Sequence, residues 1–127
     1  IPIARENFIR AEKEEQITLL EGDAKDVLET LTEPFDLIFM DAAKGQYLNF
    51  LPRVLELLQP EGILISDNVL QDGDIIESRF AVTRRNRTIH KRMREYLYTL
   101  THSEELTTAV LPVGDGITIS TKKGRKA

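Results

Sequence analysis

The fold is decided by two short apolar stretches, Phe35–Asp41 (FDLIFMD) and Gly62–Asn68 (GILISDN). Each stretch is rich in β-forming residues and closes on an aspartate, Asp41 in the first and Asp67, followed by Asn68, in the second. Such a run is typical of a buried strand in a parallel sheet. One helix-length segment separates the two, so their acidic ends should emerge side by side at one edge of one sheet. In open α/β sheets, ligands bind at this carboxyl edge.

The rest of the chain alternates helices and strands around this pair. Its pattern predicts a doubly wound, Rossmann-like α/β sheet, mostly parallel, with an antiparallel hairpin at its C-terminal end. The individual elements expected are the tail of a helix over 4–13, a strand at Ile17–Leu20, a helix capped by Asp23 or Asp26, a helix over 46–58, a sharp turn at Gln59–Gly62, a helix over 84–101, and hairpin strands at 106–110 and 117–121.

Composition narrows the class of protein. The 127 residues suit one domain rather than two, and 41% hydrophobic with 30% charged residues is typical of a globular protein. The absence of cysteine excludes a disulfide framework and a thiolate metal site, which is compatible with a reducing cytoplasm. No apolar run approaches the ~20 residues of a membrane span. We therefore expect a cytoplasmic protein that does not act in a membrane.

Three oxygen-bearing side chains should converge where the two apolar stretches end. Asp41, Asp67 and Asn68 are hard ligands of the kind that Mg²⁺ or Ca²⁺ prefers. Alternatively, the two aspartates cap helices that follow their strands, which is the commoner role for a single such residue. Lys44 lies close by in sequence, either as an ordinary surface lysine or as a base beside the ion.

Two glycine-containing motifs predict turns, and the first of them has a second interpretation. Gly22-Asp23-Ala24 serves either as a turn and helix cap or as a contact for a nucleoside at the sheet edge. Gly114-Asp115-Gly116 predicts a hairpin turn, and we assign no catalysis to it.

A basic block over residues 79–94 contains no acidic residue. Such a block is usually a solvated helix face, but it also suits a phosphate-binding surface, so an RNA-binding module remains an alternative function. A third alternative is a metal-dependent phosphoryl-transfer domain, such as a receiver or a phosphatase, because these also use a cluster of acids with a lysine.

Three ordered motifs together resemble one known family. Phe35–Tyr47, Gly62–Val69 and Leu111–Thr118 are similar to the corresponding parts of cation-dependent O-methyltransferases, which use S-adenosylmethionine and include the caffeoyl-CoA and catechol enzymes. The resemblance runs from about residue 15 to 123. The basic segment and the Gln-Tyr pair after Lys44 resemble bacterial members more, among them the tRNA 5-hydroxyuridine methyltransferases of Gram-positive bacteria.

The resemblance implies roles for particular residues. Asp41, Asp67 and Asn68 would bind Mg²⁺ or a similar ion, and Lys44 would be the catalytic base. Contacts to S-adenosylmethionine would come from Gly22, Asp23, Ala24 and Asp41, and residues 69–82 would form a wall of the acceptor pocket. The acceptor would be a phenol- or catechol-like small molecule or a modified tRNA uridine. Because family members are usually dimers, a homodimer is expected.

One departure from the family pattern is large. The family's glycine-rich turn after its first strand, and the acidic residue that ends its second strand, have no counterpart here. A strand at Ile17–Leu20 would then lack its central neighbours, and unpaired buried backbone is costly. We therefore expect residues 1–127 to be the C-terminal portion of a single methyltransferase domain, inactive by itself, or else part of a rearranged or swapped assembly.

Overall fold

The computed structural model describes residues 2–42, 45–67, 69 and 84–124, with side chains of the last segment described from Lys91 onward. The chain divides into two compact units, Ile1–Leu31 and Thr32–Ala127, which are described separately. Two predicted site residues, Lys44 and Asn68, and nearly all of the predicted pocket wall over 69–82 lie outside the described residues.

The first unit contains two short helices, α1 (Pro2–Arg10) and α2 (Ala24–Thr30). The predicted strand at Ile17–Leu20 is wrong, because no strand forms there and Ile17 and Leu20 are 39% and 50% exposed. A β-strand needs a neighbour for its main-chain hydrogen bonds, and none of the strands in the described sheet pairs with this segment.

The second unit holds the sheet and the two longer helices. The apolar stretches that begin at Phe35 and Gly62 form strands. The amphipathic segments between and after them form helices. In chain order the elements are β1 (Phe35–Met40), α3 (Tyr47–Leu57), β2 (Leu58–Asp67), α4 (Arg84–His102), β3 (Leu106–Leu111) and β4 (Ile117–Lys122).

The four strands form one sheet in the order β1-β2-β4-β3. β1 and β2 are parallel, while β4 is antiparallel to both β2 and β3. Three strands therefore run in one direction and β4 alone runs the other way. This arrangement confirms the predicted α/β sheet, mostly parallel with an antiparallel C-terminal hairpin.

The two helices described in this unit, α3 and α4, pack on one face of the sheet. Their apolar residues repeat at three- and four-residue spacing and meet alternate residues of the strands, as the two periodicities require. No helix in the described part of the chain is long and apolar enough to cross a membrane. The buried cluster consists of Met40, Tyr47, Leu51, Val54, Leu58, Leu64, Val69, Met93, Tyr96, Leu100 and Leu106.

The expectation that β1 is a buried strand is wrong for this chain. Leu37 and Phe39 are 57% and 58% exposed, although Met40 is buried. No helix among the described residues of this unit covers the other face of the sheet, so only the side chains on the helix-covered face of β1 are removed from water. Ile63 of the inner strand β2 lies beside Leu37 on that uncovered face and is also exposed.

The predicted turn at Gln59–Gly62 lies inside β2 rather than before it. The strand begins at Leu58, and its pairing with β1 jumps from Leu58 opposite Phe35 to Ile63 opposite Leu37. The extra residues form an irregular bulge in which Glu61 has a φ of 66°. The residues do form a sharp local irregularity, but the main chain continues through it as the inner strand β2.

Candidate active site at the carboxyl edge of the sheet

Asp41 and Asp67 lie next to each other at the ends of two parallel strands. Met40 and Ser66 are direct partners in the pairing of β1 with β2, and the following residue on each strand is an aspartate. The predicted juxtaposition is therefore present. The alternative in which Asp41 caps the next helix is wrong, because the N-cap residue of α3 is Gln46.

Tyr47 bonds to the end of β2 and lies near both aspartates. It is the first residue of α3, its side chain is buried, and its hydroxyl donates a hydrogen bond of 2.7 Å to the main-chain oxygen of Asp67. Burial raises the pKa of Tyr47; a backbone hydrogen bond from Ala42 lowers it, and the charges of Asp41 and Asp67 raise it further. Both carboxylates therefore act electrostatically on one phenolic hydroxyl.

A second tyrosine supports the first from α4. The rings of Tyr47 and Tyr96 meet edge to face, with centroids 5.2 Å apart and planes at 78°. The hydroxyl of Tyr96 shares a hydrogen bond of 2.5 Å with the hydroxyl of Ser66. Burial raises the pKa of Tyr96 to about 12, against the lowering effect of the Ser66 hydrogen bond. The last two residues of β2 are thus each bonded to a buried tyrosine.

Sequence reasoning missed the hydrogen bonds of both tyrosines to β2. It used Tyr47 and Tyr96 only as apolar positions in the helix patterns, and their aromatic rings do fill those positions. A signal was available, because a tyrosine in the first turn of the helix that follows an acidic strand end can reach back to the neighbouring strand. The partner main-chain atom, however, carries no sequence signature.

The donor chemistry of the strand ends suits a hard divalent cation. Two carboxylates at adjacent register positions provide oxygen ligands of the correct type. Within the described residues, no group of three or more His, Cys, Asp and Glu side chains gathers to form a metal cluster. The described residues therefore supply two of the three predicted ligands, and the metal role of Asp41, Asp67 and Asn68 stays a prediction.

The predicted cofactor contacts at Gly22, Asp23 and Ala24 form a turn and a cap in the first unit. Asp23 is the N-cap residue of α2, and its carboxylate accepts a hydrogen bond of 2.9 Å from the main-chain N–H of Lys25. Gly22 has a φ of 139°, a conformation that favours glycine. The turn borders an open depression of about 460 Å³. The structural role is confirmed, and the cofactor role stays a prediction.

The turn at Gly114–Gly116 is a hairpin turn, as predicted. Gly114 and Gly116 have φ values of 56° and 90°, and the main-chain N–H of Gly116 donates to the oxygen of Val113 at 2.9 Å. The oxygen of Gly116 in turn accepts a hydrogen bond of 3.2 Å from Val69. The turn is therefore fastened just beyond the end of β2, beside Asp67.

The basic helix passes the same edge of the sheet. The guanidinium of Arg92 donates to the main-chain oxygen of Gly45 at 3.5 Å, in the segment that joins Asp41 to α3. Tyr96, one turn later, reaches Ser66 at the end of β2. Because α4 starts two turns before Arg92, its first half extends beyond the sheet on the side of the aspartates.

Fold and site together define an α/β domain with an acidic carboxyl edge next to a basic helix. A family model described as O-methyltransferase matches residues 1–123. This chain therefore belongs to the O-methyltransferase family. The resemblance drawn from the three sequence motifs is confirmed, and the phosphoryl-transfer alternative gains no support.

Individual proteins similar to this chain are also named as O-methyltransferases. A caffeoyl-CoA O-methyltransferase of Citrus natsudaidai is 33% identical over 112 residues, which are 83% of this chain and 48% of that protein. A catechol O-methyltransferase of Niastella koreensis is 35% identical over 79 residues, which are 59% of this chain and 36% of that protein. The chain thus spans about half the length, or less, of these relatives.

Solved structures of O-methyltransferases are also similar to this chain. The crystal structure of an O-methyltransferase from Bacillus cereus in complex with SAH is similar with a TM-score of 0.81 and 26% identity. The similarity covers 96% of this chain and 57% of that one. The fold of the described units is therefore that of a methyltransferase.

Proposed function

We propose that this protein acts in the transfer of a methyl group from S-adenosylmethionine to a hydroxyl oxygen bound near a divalent cation. The observation that carries the proposal is the juxtaposition of Asp41 and Asp67, which directly follow the paired residues Met40 and Ser66 at the carboxyl edge of the sheet, in a chain of the O-methyltransferase family.

Asp41, Asp67 and Asn68 would hold the cation. When bound, a divalent ion lowers the pKa of a coordinated hydroxyl and fixes the direction of its oxygen. The two aspartates would also keep the acceptor in position, because their separation is set by the rigid register of β1 and β2.

The remaining steps fall to other side chains of the chain. Asp41 would also contact S-adenosylmethionine, and Lys44 would take the proton from the acceptor hydroxyl. The S–CH₃ bond breaks as the O–CH₃ bond forms, which leaves S-adenosylhomocysteine and a methyl ether. Since this is an in-line displacement, alignment and exclusion of water would supply most of the rate enhancement.

The names of two relatives support one class of acceptor. Catechol and caffeoyl-CoA are named for the two relatives above, and both names denote compounds with neighbouring phenolic oxygens that a cation can bind together. We propose a phenol- or catechol-like acceptor on this basis.

Methyl transfer to catechol with excess Mg²⁺ or with EDTA tests the proposal. We expect binding of S-adenosylmethionine by calorimetry, and transfer that needs the ion. Asp41→Asn and Asp67→Asn should abolish transfer, whereas Asp36→Asn, a matched change at the opposite end of β1, should not. Failure of the full-length protein, with Asp41 and Asp67 intact, to bind S-adenosylmethionine would reject the proposal.

One observation favours a second candidate, an RNA acceptor such as a hydroxyuridine in tRNA. Lys91, Arg94, Tyr98 and His102 follow one another at spacings that place them on a single face of α4. The ring of Tyr98 is 64% exposed and stacks on His102, with centroids 3.9 Å apart and planes at 16°. Cations for phosphates beside an aromatic surface for bases are the parts that single-stranded RNA binding uses.

Binding of a tRNA anticodon stem-loop, followed by fluorescence anisotropy at several salt concentrations, separates the two acceptors. An RNA acceptor predicts affinity that falls steeply with salt and is lost in Lys91→Glu/Arg94→Glu. The charge-matched control Lys13→Glu/Lys123→Glu should bind normally, since both residues are exposed and neither belongs to α4. Equal, weak binding by both variants and the wild type would exclude the RNA acceptor.

A further inference from the structure

We propose that Tyr47 is a positioning residue that holds the Asp41 and Asp67 strand ends at the spacing a divalent cation requires. The inference rests on the proposed function, because it assumes that these aspartates bind an ion. It goes further in assigning to a buried tyrosine of α3 a role in the affinity of that site.

The hydroxyl of Tyr47 acts on the main chain rather than on a ligand side chain. It donates to the carbonyl oxygen of Asp67 at 2.7 Å, at the last residue of β2. Directly after Asp41, the backbone of Ala42 lies close enough to lower the pKa of the same hydroxyl. The phenol therefore bonds to the main chain at the end of β2 and lies beside the main chain that follows β1.

This link opposes an intrinsic tendency of the two ends to separate. The carboxylates of Asp41 and Asp67 carry like charges that repel each other in the absence of a cation. Both charges are felt at the Tyr47 hydroxyl, so the hydroxyl lies where their fields overlap. A hydrogen bond to the Asp67 carbonyl fixes the main chain from which that carboxylate projects, and so reduces the rearrangement that ion binding would otherwise require.

The position of Tyr47 is itself fixed. Its ring is 2% exposed and packs edge to face against Tyr96, so the hydroxyl cannot turn to water. Tyr96 provides a matched comparison within the same core. Its hydroxyl bonds to the side chain of Ser66, which lies on the helix-covered face, and consecutive strand residues point to opposite faces. Tyr96 therefore bonds to a side chain of β2 and not to the main chain from which Asp41 or Asp67 projects.

The test measures Mn²⁺ affinity by calorimetry in the full chain, with urea unfolding of each variant to confirm that it is folded. We expect Tyr47→Phe, which keeps the ring, to weaken Mn²⁺ binding by about tenfold or more, as loss of an orienting hydrogen bond behind a ligand commonly does. Tyr96→Phe should lose comparable stability yet bind Mn²⁺ as the wild type does.

Two other kinds of result would contradict different parts of this proposal. Wild-type affinity in folded Tyr47→Phe, or an equal loss in Tyr96→Phe, would overturn the positioning role while leaving the metal site intact. Absence of Mn²⁺ binding by the wild type would instead overturn the metal site, and with it both the proposed cation dependence and this inference.

Discussion

The hydroxyl of Tyr96 lies 2.5 Å from the hydroxyl of Ser66, and both side chains are inaccessible to solvent. Neither group can exchange this partner for water, so each depends on the other. The phenol must also stay protonated to be stable there, because a phenolate would be both buried and close to the Tyr47 hydroxyl. The protein should therefore be sensitive to alkali at this position.

The stability of the protein should fall as the pH rises through the range in which Tyr96 titrates. Its pKa is about 12 in the folded state, against 10.0 for a free tyrosine. The folded state thus holds the proton more tightly than the unfolded state. The stability that the proton on Tyr96 contributes is complete below pH 10 and is lost as the pH rises toward 12. The loss is about 2–3 kcal/mol of unfolding free energy over these two pH units. Urea unfolding measured across this range checks it.

Tyr96→Phe separates this effect from the titration of other groups. The variant should be less stable than the wild type near neutral pH by about 1–2 kcal/mol, because Ser66 loses its partner. The difference should shrink as the pH rises above 10. Tyr98→Phe changes a tyrosine that is 64% exposed and should leave the alkaline slope unchanged. A constant difference between Tyr96→Phe and the wild type would contradict the prediction.

Lys122 should stabilise the C-terminal end of α3. Its ammonium group donates to the main-chain oxygens of Leu55 at 2.7 Å and Leu58 at 3.0 Å. The carbonyls at a helix C-terminus lack partners within the helix and carry the negative end of its dipole, so a cation is favourable there. Lys122→Met should cost about 1–2 kcal/mol of unfolding free energy, measured by urea denaturation.

The neighbouring residue provides the control for Lys122. Lys123 is exposed, and Lys123→Met should change stability by no more than about 0.5 kcal/mol. Equal losses in the two variants would indicate that net charge, rather than the contact with α3, is responsible.

The second unit could be predicted from sequence because its elements carry strong local signals. The apolar period of α3, the run of β-formers in β1 and the glycine turn between β3 and β4 each indicate one kind of structure. Ile17–Leu20 carries a similar signal yet forms no strand, since a strand depends on partners that local sequence does not reveal. For the same reason, the exposure of Leu37 and Phe39 could not be foreseen.

One part of the candidate site could likewise be predicted from the sequence, and another part could not. Asp41 and Asp67 could be placed together because parallel strands joined by one helix end at the same edge of a sheet. The contribution of Tyr47 could not, because its hydroxyl bonds to a main-chain oxygen of Asp67 that every residue type has. Side chains that act on backbone are found only once the register of helix against strand is known.

Gly62 should tolerate no larger side chain. A Cβ atom at this position would lie 2.7 Å from the main-chain oxygen of Gln59 and 2.8 Å from a methyl carbon of Leu58. A main-chain oxygen held in the β2 bulge cannot move aside cheaply, so Gly62→Ala should cost about 1–3 kcal/mol, measured by chemical denaturation.

Gly124 is the matched control for this glycine. Its Cβ would lie 3.4 Å from the flexible end of Glu61, an ordinary contact. Gly124→Ala should change stability by no more than about 0.5 kcal/mol. If Gly62→Ala proved equally harmless, the bulge at the start of β2 would have to be adaptable rather than fixed.

Binding of Mg²⁺ at the carboxyl ends of β1 and β2 should raise the unfolding temperature of the protein. A ligand that binds only the folded state stabilises it by about 1.4 kcal/mol when its free concentration is about ten times the dissociation constant. Differential scanning calorimetry with MgCl₂, against NaCl at equal ionic strength, measures this rise. It should disappear in Asp41→Asn and in Asp67→Asn, because each loses one of two adjacent carboxylates, but persist in Asp36→Asn. A rise that survives in Asp67→Asn would locate the ion elsewhere on the protein.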